Sequence, residues 1–468
     1  MAISTRQRWL RPPQLRTLDD QGERHATWLE LFFDLVFVIS IAELVHTLED
    51  YRTLADFLGT AGLFVAVWWA WVGYTVYADR FDTDDLLHRV LVLAGMLAVI
   101  AMALSVHDAL HGGSARFALT FVAVRGIVLV LNARARRHAA PARPLLNLYL
   151  AAFSAGLALW LVSVFVPEPA RYVLWGVALV IELSAPWVGY RQIARAPIHA
   201  SHLVERFGLF TLIVLGESVI SVAQGAADVD WTAATLAAAV AGFLVVAGLW
   251  WLYFDRLEEG AVRSVLRALV WNYAHLPLLA GLVSVAVGTE YAIRGAATGT
   301  LDRTTTVALG GGTALYLLST VVIGLAVRRG ADRRLGLWLG AAAVSLAVGL
   351  AWPVGLPVGL LVALDLVLAA LVAVEAAWFA ARFHVEQGRA WEAPGRPGAA
   401  MTTPEATMRY RVTWNVEVDA DDEGQARTAA RQFLLENEDE ALSKVVALED
   451  GSAPPDVPKV DAGGTPTV

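Results

Sequence analysis

Glu30 and Asp34 sit four residues apart inside a hydrophobic run, Trp28 to His46, that also holds Glu43. Four residues is just over one helical turn, so both carboxylates share a face that Phe37 and Ile41 continue. A second run, His202 to Gln224, opens with His202, Glu205 and Arg206; further along, Ser221 and Gln224 share the face of Glu217 at i+4 and i+7. Carboxylates, an imidazole and a guanidinium in apolar helices can hold and pass protons, balance a permeating ion, or pair with one another. A lone charge at the centre of a bilayer costs about 2.5–3.5 kcal/mol on insertion scales, so such groups are sheltered, paired, protonated or used. The carboxylates of the two runs are therefore expected to converge on one polar interior. There Glu217 is the first choice for a titrating group. Glu30, Asp34 and Glu205 would line the cytoplasmic entrance, with Arg125 or Arg206 balancing charge. Arg125, in a fourth run, is expected to pair with Asp34, Glu182 or Glu217.

Other clusters have more than one reading. Glu182 precedes Pro186 by four residues, and the missing proline N–H frees a carbonyl beside it. Trp271, Asn272, Tyr273 and His275 precede Pro277 and either bind a cation or hold a kinked helix. In the last run, Asp365 and Glu375 read as one inward-facing and one interfacial carboxylate. His199, His202 and Glu205 have i, i+3, i+6 spacing, which splays the outer two by roughly 120° and argues against a metal site. No cofactor is expected. The chain has no cysteine, which excludes disulfides and thiolate chemistry. Walker-type loops, His-Glu-x-x-His and Gly-x-Ser-x-Gly are missing from the sequence, so ATP-driven transport and the familiar hydrolases have no support. Asp79, Arg80, Asp82, Asp84, Asp85 and His88 could serve a lipid-modifying enzyme, although a solvated acidic loop accounts for them more simply.

The elements that must position these groups are membrane-spanning helices. With 57% hydrophobic and 17% charged residues and a mean hydropathy of +0.54, the chain lies outside the range of soluble globular proteins. Apolar runs of membrane-spanning length fall at 28–48, 55–77, 87–106, 115–132, 145–166, 170–190, 203–224, 231–254, 268–289, 304–327, 335–352 and 355–382. The expected fold class is an all-α polytopic membrane protein of about twelve transmembrane helices. Residues 1–27 form a cytoplasmic segment with five arginines and no apolar core, so no cleavable signal peptide is expected. Arginine collects in alternate loops, among them Arg134, Arg136, Arg137 and Arg143, which places both termini in the cytoplasm of a bacterial inner-membrane protein. Those loop arginines are explained by topology, so nucleic-acid binding is not expected.

The transmembrane domain, 28–383, divides into halves of about 28–190 and 203–382 that echo each other. Trp68-Trp69 followed by Asp79-Arg80 recurs as Trp250-Trp251 followed by Asp255-Arg256, and Glu30 and Glu205 stand 175 residues apart against 176 for the two aspartates. This predicts a parallel six-plus-six repeat. Residues 384–404 read as a linker, 405–450 as a small cytosolic α+β unit with a strand over 410–418, a helix over 422–436 and a strand at 444–448, and 451–468 as a disordered tail. The net charge of −8 arises from the acidic excess after residue 404 and says little about partners.

Glu30-Leu31-Phe32-Phe33-Asp34-Leu35-Val36-Phe37-Val38, together with Glu205-Arg206-Phe207-Gly208 and Leu215-Gly216-Glu217-Ser218, resembles the two signatures of the bacterial low temperature requirement A family. The resemblance covers roughly 25–385 and leaves out the C-terminal unit. It implies a polytopic membrane protein linked by name to growth in the cold, with no settled molecular activity. From the residues, the leading expectation is movement of a small solute or ion across the membrane, coupled to protons. The alternatives are a membrane sensor or scaffold that anchors a cytosolic partner through 405–450, and a membrane-embedded lipid-modifying enzyme. The sequence leaves the substrate and the oligomeric state open.

Overall fold

The structure is a computed structural model of the chain. It describes residues 11–16, 26–49, 54–196, 200–227, 229–257, 264–327, 334–353 and 356–391, together with five short strands beyond residue 407. The chain forms two units, Met1–His384 and Val385–Val468.

In the first unit each apolar run becomes a helix: α1 (Trp28–Glu49), α2 (Leu54–Arg80), α3 (Leu86–Ala103), α4 (Ser114–His138), α5 (Arg143–Ser163), α6 (Ala170–Val188), α7 (Ala200–Ala227), α8 (Ala233–Leu257), α9 (Val265–Thr298), α10 (Arg303–Val327), α11 (Leu335–Ala351) and α12 (Pro357–Trp391). Among the described residues, eleven of these are long and apolar enough to cross a membrane. The exception is α11, with 17 residues. It stops there because Pro353 disfavours helical geometry at the preceding residue, and Trp352 is accordingly extended, with φ −61° and ψ 132°.

Local chemistry sets the other ends. At the start of α1, Thr27 Oγ1 accepts from the Glu30 N–H at 3.3 Å while Glu30 Oε2 accepts from the Thr27 N–H at 2.7 Å, a reciprocal cap that satisfies two otherwise orphaned donors. Asp85 caps α3 by accepting from the His88 N–H at 3.0 Å. The ninth run, expected over 268–289, becomes the 34-residue α9, capped by Ser264 and ended by Gly299 in the left-handed region at φ 69°. This helix is buried on nearly every side and forms the centre of the bundle. The outer faces carry exposed aliphatics, among them Val90, Leu97, Leu119, Val180, Val240 and Leu366. Rows of aliphatic side chains on bundled helices suit a hydrocarbon solvent rather than water.

A short N-terminal strap closes one end of the bundle. Strand β1 (Gln14–Leu15) pairs antiparallel with β2 (Phe81–Asp82), and Arg134 forks onto the Asp85 carboxylate at 3.0 and 2.6 Å while also holding the Arg11 carbonyl. The acidic loop is thus only partly the solvated segment expected. Asp84 is exposed, and the Arg89 guanidinium bonded to it holds its carboxyl below the usual carboxylate range. Asp79, Arg80, Asp85 and His88 are buried.

In the second unit, the stretch read as one strand over 410–418 is described at both ends, with 413–415 outside the described residues. Strand β3 (Met408–Val412) lies antiparallel to β4 (Val416–Ala420), with Tyr410 opposite Val418, and β5 (Val445–Ala447) pairs with the other edge of β3. Further on, β6 (Lys459–Val460) and β7 (Pro466–Thr467) join the same sheet, and the rest of 451–468, expected to be a disordered tail, lies outside the described residues. The helix expected over 422–436 lies outside the described residues.

The side-chain environments of the two halves do not follow a repeat. Trp68 and Trp69 are buried, whereas Trp250 and Trp251 are 44% and 46% exposed. Asp79 is buried, whereas Asp255 is exposed and accepts a hydrogen bond from the Trp251 indole.

Candidate functional site

Residues one helical turn apart on three helices meet as rungs. On α7 these are His202, Arg206 and Phe210; α2, running the other way, offers Asp79, Thr75 and Trp71, and α1, running alongside, offers Glu30, Asp34 and Phe37. The first rung sets the His202 imidazole between two carboxylates, with Nδ1 2.9 Å from Asp79 Oδ1 and Nε2 3.5 Å from Glu30 Oε2. The second is a fork: Arg206 donates through Nε and Nη2 to the two Asp34 oxygens at 2.8 and 2.6 Å, with Thr75 Oγ1 at 3.5 Å and Glu30 Oε1 at 3.6 Å. The Trp71 indole N–H adds a third donor to Asp34 at 2.7 Å. The third rung is aromatic. Phe210 stacks on Trp71 with ring centres 4.2 Å apart and meets Phe37 edge-on at 6.4 Å. Phe207, packed on both Trp71 and Trp271, thickens this layer.

Asp34 and Arg206 are 1% exposed, so the fork is desolvated. Such a pair is tolerated because a planar guanidinium satisfies both carboxylate oxygens at once. The first rung has different chemistry. A neutral imidazole carries one N–H, so at any moment it can donate to only one of the two carboxylates.

Glu217 lies beyond the aromatic layer, about 16 Å from Arg206 at ~1.5 Å per residue. It is buried, as is Ser221 on the same face, and its electrostatic neighbours are His46 of α1 and Glu290 of α9; Arg294 pairs with Glu290 at 2.6 Å. The expectation that Asp34 and Glu217 share one polar interior is therefore corrected. Both face inward, but they occupy two polar layers of one helix pair, separated by stacked aromatic rings. Glu205, one residue before Arg206, is rotated about 100° away from it and is half-buried.

Arg125 pairs with Glu182, and with neither Asp34 nor Glu217. The Trp69 indole donates to the same carboxylate at 3.0 Å, and the guanidinium lies 4.7 Å from the Phe153 ring centre. Two glycines make room. A Cβ at Gly156 would stand 2.4 Å from Glu182 Oε1, and one at Gly73 would stand 2.6 Å from Arg125 Nη1. Gly156→Ala is accordingly expected to push Glu182 off its partners and destabilise the fold by about 2–4 kcal/mol, within the range for disturbing a buried pair. Thermal unfolding in detergent checks this, and Glu182→Gln should cost a similar amount.

Two of the remaining clusters tie helices together. His275 sits between the Trp271 carbonyl at Nδ1, 2.8 Å, and the Tyr253 hydroxyl at Nε2, 2.9 Å, which commits both nitrogens to holding α9 beside Pro277. Glu375 pairs with Arg334 and accepts from the Trp338 indole at 2.8 Å; Asp365 is half-buried.

The chain matches the model of the bacterial low temperature requirement A protein over residues 25–374, a span that contains every rung. It belongs to the bacterial low temperature requirement A family. This family member is also 29% identical over 302 residues, 61% of its own length and 72% of the other, to an uncharacterised protein of Rhizobium meliloti (strain 1021). No solved structure matches it. Like the family signature, it is a multi-pass helical membrane protein.

In this family member, the sequence placed a helix over 55–77 and singled out Asp79, but it assigned the site to α1 and α7 and gave α2 no part in it. Trp71, Thr75 and Asp79 complete the rungs, and their i, i+4, i+8 spacing was a signal available beforehand. Trp68-Trp69 and the Asp79-Arg80 pair suit an interfacial belt equally well, so the spacing alone did not single out a buried site. Trp69, the second partner of Glu182, was missed for the same reason.

Proposed function

We propose that this protein moves a small solute or ion across the bacterial inner membrane, coupled to protons, with the arginine-rich loops and both termini in the cytoplasm. The observation that carries the reading is the His202 imidazole held between Glu30 and Asp79. Three titratable groups in contact can pass a proton among themselves with small shifts in geometry, and buried groups of this kind mark pathways more often than static structure. The aromatic layer beyond them supports a closed state, in which Phe37, Trp71 and Phe210 part the cytoplasmic rungs from the Glu217 layer. Movement of α7 against α1 and α2 would open it.

The test is reconstitution of the full chain in proteoliposomes with an internal pH dye. An imposed pH gradient is expected to collapse faster than in empty vesicles, and identical decay would sink the proposal.

The sheet over 408–467 favours a second reading, a membrane anchor for a cytosolic partner. Removing 400–468 separates the two. Under the transport reading, flux per reconstituted molecule stays within about twofold of the full chain, because none of the rungs lies in the deleted part; loss of flux would favour the anchor. The acid–base groups that a lipid-modifying enzyme would need are committed elsewhere, Asp79 to His202 and Asp85 to Arg134.

A further inference from the structure

A cavity of about 60 Å³ lies among α2, α4, α5, α6 and α9, apart from the rungs. Its walls are rich in aromatic side chains, with Trp69, Tyr149, Phe153 and Tyr273 among them, and Arg80, Asn132 and Asn272 also line it; the Asn132 amide N–H is already bonded to the Val128 carbonyl at 2.8 Å. Arg80 is 2% exposed. Its Nε donates to the Ala196 carbonyl at 3.1 Å and its guanidinium lies 5.9 Å from the Tyr149 ring centre, beside that hydroxyl. Among the described residues no carboxylate pairs with it, in contrast to Arg125, Arg206 and Arg334. Asn272 is 8% exposed, and its Oδ1 is buried without a hydrogen-bond partner among the described residues.

A guanidinium buried without a carboxylate partner costs several kcal/mol unless an anion completes it. A buried amide oxygen lacks a donor at similar disadvantage per group. One ligand answers both needs: an oxyanion to meet Arg80 that also carries a hydroxyl hydrogen for Asn272. The space suits it. At about 10–15 Å³ per water on the same measure, the cavity takes a group of roughly four or five heavy atoms. The neighbouring Arg125–Glu182 pair is neutral overall and leaves Arg80 to set the charge.

We propose that this cavity binds a hydroxyl-bearing oxyanion of the hydrogen phosphate type through Arg80 and Asn272, either free or as the hydroxylated phosphate head of a membrane lipid. The site goes beyond the transport reading and does not depend on it.

The experiment uses the full chain in detergent or in phosphatidylcholine nanodiscs, titrated with inorganic phosphate. Thermal unfolding and tryptophan fluorescence are read together, since Trp69 lines the cavity. Phosphate is expected to raise the melting temperature saturably, and sulfate, which carries no hydrogen at neutral pH, to do so less. Arg80→Gln should weaken the effect about tenfold or more, the worth of a charge-assisted hydrogen bond. Ala268→Leu, which fills the cavity and leaves Arg80 in place, should do the same. Should soluble phosphate be inert while phosphatidic acid, whose phosphate monoester can carry a hydroxyl, co-purifies with and stabilises the wild type but not Arg80→Gln, the source is the lipid head and the site stands. Stabilisation by neither phosphate nor phosphatidic acid overturns the proposal, as does stabilisation that survives both substitutions.

Discussion

Arg206→Leu is expected to cost about 3–5 kcal/mol of stability, the range for removing one partner of a buried ion pair. The change leaves Asp34, 1% exposed, with the Trp71 indole and no guanidinium, and it removes the cation that Glu30 faces at 3.6 Å. Two carboxylates then share an apolar layer. Arg206→Lys should recover only part of the loss, because an ammonium cannot fork onto both oxygens as the Nε and Nη2 donors do at 2.8 and 2.6 Å. Asp34→Leu combined with Arg206→Leu should be more stable than either single change, because hydrophobic side chains of similar size are well tolerated where a charge pair is buried. Chemical unfolding in mixed micelles gives the cycle directly. A coupling energy below about 0.5 kcal/mol would mean that the two residues are not the partners their geometry makes them.

How far these contacts were legible in the sequence depended on whether they lay along one helix or between helices. Glu30 and Asp34 share a face because of helical periodicity alone, and Glu217 and Ser221 do likewise, so both pairs could be read directly. Thr27 with Glu30 is a local cap of the same kind. Partner choice was different. Arg125 could reach any of three carboxylates until packing of α4 against α6 settled on Glu182, and no spacing rule carries that information. The convergence of Asp34 with Glu217 failed for a related reason. The cost of buried charge requires each carboxylate to be sheltered but does not require them to share a shelter, and Arg206 together with the Trp71 indole satisfies Asp34. The repeated tryptophan pairs misled in the opposite way: Trp68-Trp69 and Trp250-Trp251 are alike as letters, yet one pair is in the core and the other at the surface. The reach of α9, 34 residues where about twenty were expected, follows from Ser264 and Gly299, whose capping roles become clear once the helix between them is known to be buried.

The second large effect concerns Glu217. Its burial, its place beyond the aromatic layer and its neighbours His46 and Glu290 make it the titratable group that a proton would meet on the far side of Phe37, Trp71 and Phe210. Glutamine keeps the shape and the hydrogen-bonding capacity of the side chain but cannot exchange a proton. Glu217→Gln is therefore expected to fold and insert as the wild type does, since no arginine fork depends on this carboxylate in the way Asp34 and Glu182 support theirs. Any loss it causes then belongs to function.

The most direct measurement is pH-gradient-dependent flux through this variant in proteoliposomes, normalised to the amount of folded protein incorporated. A route that runs from the His202 rung across the aromatic layer to Glu217 predicts flux reduced to the level of empty vesicles. Flux equal to the wild type would show that protons do not pass by Glu217, and the two polar layers would then be structural supports and not a pathway.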